Sequence, residues 1–351
     1  MTHLPLFLTN LWYVAGLSAS LKPGAMRREM LCGEPVLLGR MPGGGIFALR
    51  DICPHRAAPL SAGRIREQTV ECPYHGWRFA NNGVCTHIPS ALQDNDIDVS
   101  KIKVPAYPVR EQDGLIWVYF AADPKSDTAP VLEPPRIPLG AGDGRAVPRF
   151  VEAQLFPCDV DHAVVGLMDP AHGPFVHNAW WWRREASIHA KEKHHEPSLR
   201  GFTMVNHKPS SNSFFYKVLG GDLKTEIRFE LPGLRFEHIQ AGKREILGFT
   251  SVTPKDAEHT LVTQIFFWAT PWLSLMKPFF RPFARAFLGQ DRRIVELQNE
   301  GLKFSPPQML IQDADVPAIW YHRLKKAWAD SVENGTPFIN PVQERTLRWR
   351  S

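Results

Sequence analysis

The chain has 351 residues, of which 44% are hydrophobic and 22% are charged. This length and composition provide enough apolar side chains for two folded domains, and they exclude a wholly disordered protein. The formal net charge of +5 is mild, and a nucleic-acid-binding protein would require strongly clustered basic residues.

The cysteines and the amino terminus indicate where such a protein works. Five cysteines are too few for a disulfide scaffold in a chain of this length. We expect Cys32, Cys85 and Cys158 to be small buried or half-buried side chains. The first residues lack the basic start and apolar core of a secretory signal, and no stretch approaches about 18 apolar residues. We therefore expect a cytoplasmic location.

The first third of the chain predicts short strands separated by turns. Residues 34–40 and 46–50 alternate in the manner of paired strands, and the glycines at 43–45 supply the connection. A second such pattern covers residues 69–72, and it continues through residues 77–86 around a central Asn-Asn-Gly turn. An antiparallel all-β domain is indicated.

Two short segments within this region each combine a cysteine with a histidine. Cys53-Pro-His55 is followed, after sixteen intervening residues, by Cys72-Pro-Tyr-His75. Two thiolates and two imidazoles are the ligands of a Rieske [2Fe-2S] centre, with the cysteines on one iron and the histidines on the other. The same residues can hold a structural zinc ion, although zinc sites usually draw each pair from one residue type. The alternation favours the cluster.

A change of composition predicts a boundary between two domains. After an apolar strand at residues 115–120, the chain becomes rich in proline and small polar residues. We assign residues 1–125 to a Rieske domain, 126–138 to a linker and 139–351 to a second domain.

The second domain is predicted to combine an antiparallel sheet with helices, so the fold class is α+β. Helical spacing begins near residue 159, where Asp159 is a candidate N-cap, and ends near residue 167. Helical spacing returns at residues 284–302 and 317–328. Strand patterns lie at about residues 149–156, 203–208, 224–231, 235–240, 245–253 and 260–268. We expect a helix laid across a curved sheet, a helix-grip arrangement.

Residues 166–177 hold a second set of possible metal ligands. His172 and His177 are separated by Gly173 and Pro174, which we expect to break the helix and let both imidazoles turn toward one point. Taken alone, such a pair is more often structural, because histidines commonly bond loop carbonyls. Beside an electron-transfer cluster, the pair favours a metal that accepts electrons.

A mononuclear Fe(II) site that activates O2 needs two histidines, one carboxylate and open coordination positions. Asp291 is the candidate carboxylate. We expect it to lie on the core-facing stripe of its helix, together with Ile294, Val295 and Gln298. A carboxylate directed into a core requires a metal or a cation. The weaker alternatives are Glu296 and Glu300.

These segments together resemble the catalytic α-subunit of the Rieske non-haem iron oxygenases, over nearly the whole chain. The resemblance implies that the [2Fe-2S] cluster is bound by Cys53, His55, Cys72 and His75. It implies that the mononuclear Fe(II) is bound by His172, His177 and Asp291. Asp169, which can also orient His172 as a hydrogen-bond partner, would be the catalytic bridging carboxylate between the cluster of one subunit and the iron of its neighbour.

The resemblance also implies an assembly and a branch of the family. Electron transfer between neighbouring subunits requires a head-to-tail ring, so we expect a homotrimer. The chain is most similar to the homotrimeric branch that includes the vanillate and dicamba O-demethylases. One departure is Gly166, which stands where several relatives carry asparagine, so any role of that amide near the iron is missing.

Aromatic residues after the second histidine are candidate walls of a substrate cavity or, equally, of a subunit interface. The candidates are Trp180, Trp181, Trp182, Phe214, Phe215, Phe266, Phe267, Trp268 and Trp272. Strand alternation allows only about half of such a set to face one side. An aromatic cavity over an iron is typical of a site for an aromatic substrate.

Electrons must come from a separate protein, because the chain contains no flavin or dinucleotide fingerprint. Arg56, Arg64 and Arg66 are either a solvated surface or a basic patch for an acidic ferredoxin or reductase. The expected reaction uses NAD(P)H electrons and O2 to mono-oxygenate or O-/N-demethylate an aromatic. Ring cis-dihydroxylation is the nearest alternative, and a non-catalytic electron carrier or zinc-stabilised binding protein is the alternative of another class.

Overall fold

The computed structural model describes residues 4–92, 97–123, 129–139, 146–177, 188–208, 223–242 and 244–351, without the side chains of Pro271 and Trp272. The chain divides into two compact units. One unit is Thr9–Pro135, and the other combines the residues up to Leu8 with those from Arg136 onward.

The first unit consists of short antiparallel strands. They are β1 (Leu11–Leu17), β2 (Met26–Leu31), β3 (Glu34–Arg40), β4 (Ile46–Arg50), β5 (Arg64–Arg66), β6 (Thr69–Glu71), β7 (Arg78–Ala80), β8 (Cys85–His87), β9 (Ala106–Tyr107), β10 (Val109–Gln112) and β11 (Leu115–Phe120). Over the described residues of this unit they form three sheets, with strand orders β1-β11-β10, β2-β3-β4-β9 and β5-β6-β7-β8. The all-β prediction for this part of the chain is confirmed.

The predicted hairpin of β3 and β4 forms as expected, with Arg40 opposite Ile46 across the turn. Gly44 adopts a φ of 97°, which a residue with a Cβ rarely adopts. The apolar side chains of both strands enter a buried core that also contains Cys53 and Cys72. The core of the first unit therefore continues directly into the two cysteine-histidine loops.

The second unit combines one large sheet with helices, as predicted. Its strands are β12 (Phe150–Phe156), β13 (Ala190–Ser198), β14 (Gly201–His207), β15 (Leu223–Glu230), β16 (Leu234–Ala241), β17 (Arg244–Pro254), β18 (Thr260–Trp268) and β19 (Arg345–Arg350). Its helices are α1 (Val160–Met168), α2 (Gly173–Val176), α3 (Lys277–Leu302) and α4 (Val316–Asn334). Within the described ranges the strands form one antiparallel sheet in the order β12-β18-β17-β16-β15-β14-β13-β19. In those ranges no helix is long and apolar enough to cross a membrane.

Helix α1 begins as its sequence indicates. Asp159 caps it, because the Asp159 carboxylate accepts a hydrogen bond from the His162 N–H at 2.9 Å. Val164 on the same helix is fully buried and packs on the sheet beside Gly233 and Val252. This packing sets the direction in which α1 ends, and the second group of candidate ligands follows immediately.

Three features of the second unit were not predicted: strand β13, strand β19 and the position at which helix α3 begins. Strands β13 and β19 pair with each other at one end of the sheet, and both are rich in charged residues, so neither shows the apolar alternation of a half-buried strand. Helix α3 begins at Lys277 rather than near residue 284. Its first turns contain Pro278, which is tolerated near a helix start, and Pro282, which lies inside the helix.

A buried charged cluster connects α1 to α4. The Lys325 ammonium lies 2.7 Å from both carboxylate oxygens of Asp161, and the Tyr321 hydroxyl donates to the same carboxylate at 2.6 Å. The Lys325 ammonium also donates to the Leu6 carbonyl at 3.2 Å. Lys325 is almost completely buried, so its charge depends on these oxygen partners.

We expect Lys325→Met to destabilise the second unit, because it removes the cation and leaves the Asp161 carboxylate with a neutral donor, the Tyr321 hydroxyl. Removing one member of a buried pair costs about 3–5 kcal/mol, and the partial exposure of Asp161 reduces this to about 2–3 kcal/mol. Thermal unfolding should show a lower Tm. The control is Lys326→Met, which removes an exposed pair with Asp330 on the same helix and should cost under about 0.5 kcal/mol. Equal effects of the two variants would contradict this account.

Candidate metal centres

The first cysteine-histidine loop follows β4 and is shaped by backbone hydrogen bonds. The Cys53 N–H donates to the Ala58 carbonyl at 2.9 Å, and the Ala57 N–H donates to the Cys53 carbonyl at 2.9 Å. Ala57 has a φ of 58°, a left-handed conformation that costs a non-glycine residue about 1–2 kcal/mol. The loop closes over the buried cysteine and leaves His55 exposed.

The second loop lies between β6 and β7 and repeats this geometry. The Cys72 N–H donates to the Trp77 carbonyl at 2.8 Å, and the Gly76 N–H donates to the Cys72 carbonyl at 3.1 Å. Gly76 has a φ of 70° and so takes the conformation that Ala57 takes in the first loop. The two loops therefore have similar backbone conformations around their cysteine and histidine residues.

The two thiols lie together in the core. Cys53 and Cys72 are 2% and 3% exposed, and their side chains are close enough to share a hydrogen bond. Burial, together with the neighbouring Cys72 sulfur, raises the pKa of the Cys53 thiol to about 11, although backbone hydrogen bonds act to lower it. A pair of thiolates at this position therefore requires a metal cation to stabilise it.

The two imidazoles also form a pair. The ring centroids of His55 and His75 are 4.5 Å apart, and Trp77 stacks on His55 at 4.7 Å with an interplanar angle of 6°. The Nδ1 atom of His75 is buried without a hydrogen-bond partner in the described structure. Buried ring nitrogens are normally bonded, so an unpartnered one fits a metal ligand.

The arrangement of these donors distinguishes a cluster from a zinc ion. Four ligands of one tetrahedral ion would lie within a few ångströms of one another. Among the described residues, the one set of three histidine, cysteine or carboxylate donors that lies within 4.8 Å is elsewhere in the chain. A sulfur pair and an imidazole pair fit a [2Fe-2S] cluster, whose two irons take separate ligand pairs.

The second centre is built where α1 ends and α2 forms. Asp169 follows the last residue of α1, and its carboxylate accepts a hydrogen bond from the Ala171 N–H at 2.7 Å. His172 and His177 stand at the two ends of α2. The expectation that Gly173 and Pro174 break the helix needs correction. They begin the short helix α2, because a proline in the first helical turn needs no N–H donor.

Three donor atoms converge at this point. The Nε2 atoms of His172 and His177 are 3.2 Å apart. The Asp291 Oδ1 atom on α3 lies 3.2 Å from Nε2 of His177 and 3.7 Å from Nε2 of His172. Two ligand atoms that bind one ion at about 2.1 Å and at right angles to each other lie about 3.0 Å apart. The set fits a two-histidine, one-carboxylate metal site.

The charges around His172 favour a cation. Its Nδ1 atom lies 3.5 Å from the Asp169 carboxylate, on the side of the ring opposite the three converging donors. Burial acts to lower the pKa of His172, but the carboxylates of Asp169 and Asp291 outweigh burial, and the net pKa is raised. Burial acts to raise the pKa of Asp169, and the bond to His172 outweighs it, so this pKa is lowered.

The sequence reasoning about the helix of Asp291 was partly wrong. Val295 is buried, as expected, but Ile294 is 36% exposed and Gln298 is also exposed. The Asp291 side chain is 28% exposed, so it faces the two histidines across a partly open site rather than a closed core. The competitor Glu296 pairs with Arg292 at 2.8 Å on the exposed side of the helix.

Two residues near His177 were missed by the sequence reasoning. The Gln290 side-chain oxygen lies 3.1 Å from Nδ1 of His177, and the Phe287 ring stacks on the imidazole at 3.7 Å. Both precede Asp291 on the same helix, which is the one signal that could have identified them.

The structure describes some of the predicted aromatic residues, the three other cysteines and Gly166. Trp180, Trp181, Trp182, Phe214, Phe215 and the side chain of Trp272 lie outside the described residues. Phe266 and Trp268 pack on one face of β18, while Phe267 is buried on the other, as strand alternation requires. Cys32 is half-buried, and Cys85 and Cys158 are buried, as expected. Gly166 is exposed, and a Cβ there would meet no atom within 4 Å.

The arginines near the loops are partly neutralised. Arg64 and Arg66 both pair with the Glu71 carboxylate, at 2.6 and 3.2 Å. Arg78 lies 3.4 Å from the same carboxylate, and Arg56 is exposed. The guanidinium groups of Arg56, Arg64, Arg66 and Arg78 outnumber the carboxylates of Glu67 and Glu71, so this surface has a net positive charge.

Two protein families match the chain. Residues 11–108 match the family described as the Rieske [2Fe-2S] domain. Residues 158–331 match the family described as the vanillate O-demethylase oxygenase C-terminal domain. The first match includes both cysteine-histidine loops, and the second includes the three converging donors.

Curated relatives share parts of the chain. Dicamba O-demethylase, oxygenase component, from Stenotrophomonas maltophilia is 36% identical over 174 residues, which are 49% of this chain and 48% of that protein. Chlorophyllide a oxygenase, chloroplastic, from Arabidopsis thaliana is 31% identical over 175 residues, 49% of this chain and 30% of that protein. The chain thus spans less than half the length of these relatives.

A solved structure extends the likeness to the whole fold. The crystal structure of dicamba monooxygenase bound to dicamba superimposes with a TM-score of 0.70 and 22% identity. The superposition covers 94% of this chain and 99% of that one. The likeness in fold therefore includes elements of both units.

Proposed function

The chain belongs to the Rieske non-haem iron oxygenases, because it carries the two domains of that family, and from this premise we propose that it is the terminal oxygenase component of a multicomponent system. In this proposal it uses O2 and electrons from NAD(P)H to mono-oxygenate or to O- or N-demethylate an aromatic substrate. The electrons arrive through a separate reductase or ferredoxin.

The observation that carries the proposal is the convergence of His172, His177 and Asp291 in a chain that also has two cysteine-histidine loops. Two histidines and one carboxylate on one side of an ion leave positions open for other ligands. Iron held there would supply the site at which O2 is reduced. An electron carrier would need the first unit alone, so this second centre favours an enzyme over the non-catalytic alternatives.

Different side chains would serve the cluster and the mononuclear iron. Cys53 and Cys72 would hold the inner iron of the cluster, and His55 and His75 the outer, more exposed one. Asp169 would hold the Nδ1 proton of His172, which leaves the Nε2 lone pair for the metal. In the assembled protein Asp169 would also connect this histidine to a cluster histidine of the neighbouring subunit.

The attack at a methyl group is favoured by the relatives. One curated relative is named an O-demethylase, and the superimposed structure is bound to dicamba. Ring cis-dihydroxylation remains the alternative reaction.

The relative's description as an oxygenase component supports a separate electron donor. We propose that the positive surface formed by Arg56, Arg64 and Arg66 receives an acidic ferredoxin or reductase. No disulfide joins any of the cysteines that the structure describes, which suits the reducing cytoplasm in which such donors work.

A homotrimer is proposed for the assembled protein. Large apolar side chains are exposed on α3 and after it, including Phe279 at 65%, Phe304 at 84% and Met309 at 85%. Exposed apolar surface of this kind usually marks a protein contact. A head-to-tail ring would cover such surface and bring the cluster of one subunit to the iron of the next.

The reaction is tested by supplying a surrogate reductase, NADH and O2 with matched aromatic substrates. Methoxylated and N-methylated aromatics should release formaldehyde, and the same rings without the methyl group should not. A ring diol from both members of each pair would support dihydroxylation instead. NADH consumption that no substrate stimulates, in protein with both metal centres filled, would contradict an oxygenase of this kind.

A further inference from the structure

The His177 imidazole is constrained on three sides. Its Nδ1 atom lies 3.1 Å from the Gln290 oxygen, its face stacks on Phe287 with an interplanar angle of 14°, and its Nε2 atom faces Asp291 at 3.2 Å. The side chain is 2% exposed, so water does not compete for these contacts. Of the two histidines at this centre, His177 is the more tightly held.

We infer that Gln290 is a positioning residue that fixes the tautomer and the orientation of His177. An amide oxygen accepts hydrogen bonds and donates none, so the proton of the neutral imidazole must be on Nδ1. The lone pair is then on Nε2, which faces the metal position. This inference rests on the proposed iron centre and adds to it a residue outside the ligand set.

The two histidines donate hydrogen bonds to acceptors of different charge. His172 bonds the carboxylate of Asp169, whereas His177 bonds a neutral amide. The formal charge of a divalent ion is already balanced by Asp169 and Asp291. A neutral acceptor at Gln290 fixes His177 without adding a third negative charge in a buried place, where an unbalanced charge is costly.

Helix α3 supplies the ligand oxygen and the acceptor from adjacent residues. Because Asp291 and Gln290 share one rigid helical segment, a shift of α3 would move both relative to the histidines. The hydrogen bond from His177 to Gln290 therefore ties the imidazole to the helix that supplies the Asp291 carboxylate. This bond helps to keep the two imidazole nitrogens and the carboxylate oxygen at fixed distances from one another. Phe287, one turn earlier on the same helix, holds the plane of the imidazole.

The test measures metal binding rather than turnover. The full-length protein, with its cluster retained and its mononuclear site emptied by a chelator, is titrated with Co(II). Gln290→Leu should weaken Co(II) binding about 10–100-fold, because loss of such a partner typically has that effect. Gln290→Glu keeps an acceptor oxygen but adds a buried negative charge, so it should bind Co(II) more tightly than Gln290→Leu without having to match the wild type. Proton NMR of the Co(II) protein should show the exchangeable Nδ1–H signal of His177 shifted or lost in Gln290→Leu.

Gln298→Leu is the matched control. Gln298 lies on the same helix and bonds a histidine in the same manner, since its oxygen is 2.9 Å from Nε2 of His162. His162 is not among the converging donors, so this variant should bind Co(II) like the wild type.

Wild-type Co(II) affinity and an unchanged Nδ1–H signal in Gln290→Leu would overturn the inference. Failure of the wild type itself to bind Co(II) would instead contradict the proposed iron centre. If Gln290→Leu does not fold, as shown by loss of the cluster spectrum, Gln290→Glu decides. Its Nδ1–H signal should then move, because a carboxylate accepts more strongly than an amide, and an unmoved signal would overturn the inference.

Discussion

Asp291→Ala is expected to reduce substrate turnover to background while the visible spectrum of the cluster stays unchanged. The Asp291 Oδ1 atom is the one carboxylate oxygen that lies near both converging nitrogens within the described residues. Without it, two neutral imidazoles remain to hold a divalent ion. His172→Ala should give the same result, because each variant leaves an incomplete ligand set. Steady-state turnover and the absorption spectrum of the same preparation measure both halves of this prediction.

The control for this prediction is Glu296→Ala. Glu296 lies five residues further along the same helix and pairs with Arg292 on the exposed side. Its loss should leave turnover within about twofold of wild type, because exposed ion pairs contribute little. Loss of the cluster spectrum in Asp291→Ala, or loss of turnover in Glu296→Ala, would show that the carboxylate ligand has been assigned to the wrong residue.

Asp169→Asn is expected to keep both metal centres and to slow electron transfer between them about 100-fold, at the upper end of the usual effect of such partners. Asparagine preserves the shape and one acceptor oxygen of the side chain but removes the charge next to His172. The pKa of His172, now raised by this carboxylate, should fall, so the histidine loses the electrostatic support that connects it to the pathway. Stopped-flow oxidation of the reduced cluster, with substrate and O2 present, measures the transfer.

An Asp-His pair elsewhere in the chain provides the matched control. Asp256 and His259 have the same three-residue spacing, and their side chains are 3.0 Å apart in an exposed turn between β17 and β18. Asp256→Asn should leave the transfer rate unchanged. A wild-type rate in Asp169→Asn would remove Asp169 from the electron pathway and leave it as an orienting partner of His172 alone.

The parts of the fold that the sequence predicts well are those in which local chemistry and packing agree. The hairpin of β3 and β4 has apolar alternation and a glycine turn, and α1 has an aspartate cap, so each is specified by its own residues. Strands β13 and β19 carry charged side chains and pair with each other, so their conformation depends on the sheet rather than on their own pattern.

The candidate site likewise has residues that the sequence identifies and residues that only the tertiary structure reveals. Residue type and spacing around the Gly-Pro pair pointed to His172 and His177, and the structure brings Asp291 to them from more than a hundred residues away. Their roles as ligands stay predictions. The argument that selected Asp291, a core-facing stripe with Ile294, Val295 and Gln298, was partly wrong, because Val295 is buried but the other two are exposed. Gln290 has no sequence signature, since an amide becomes a histidine partner only through tertiary placement.

The iron content of the purified protein tests the central claim most directly. Two irons in a Rieske cluster and one at the mononuclear site give about three irons per chain, with the brown colour of the cluster. Asp291→Ala should contain about two irons per chain and show the same spectrum. A colourless protein with one zinc ion per chain, or a wild type and an Asp291→Ala variant of equal iron content, would contradict the account of two iron centres in one chain.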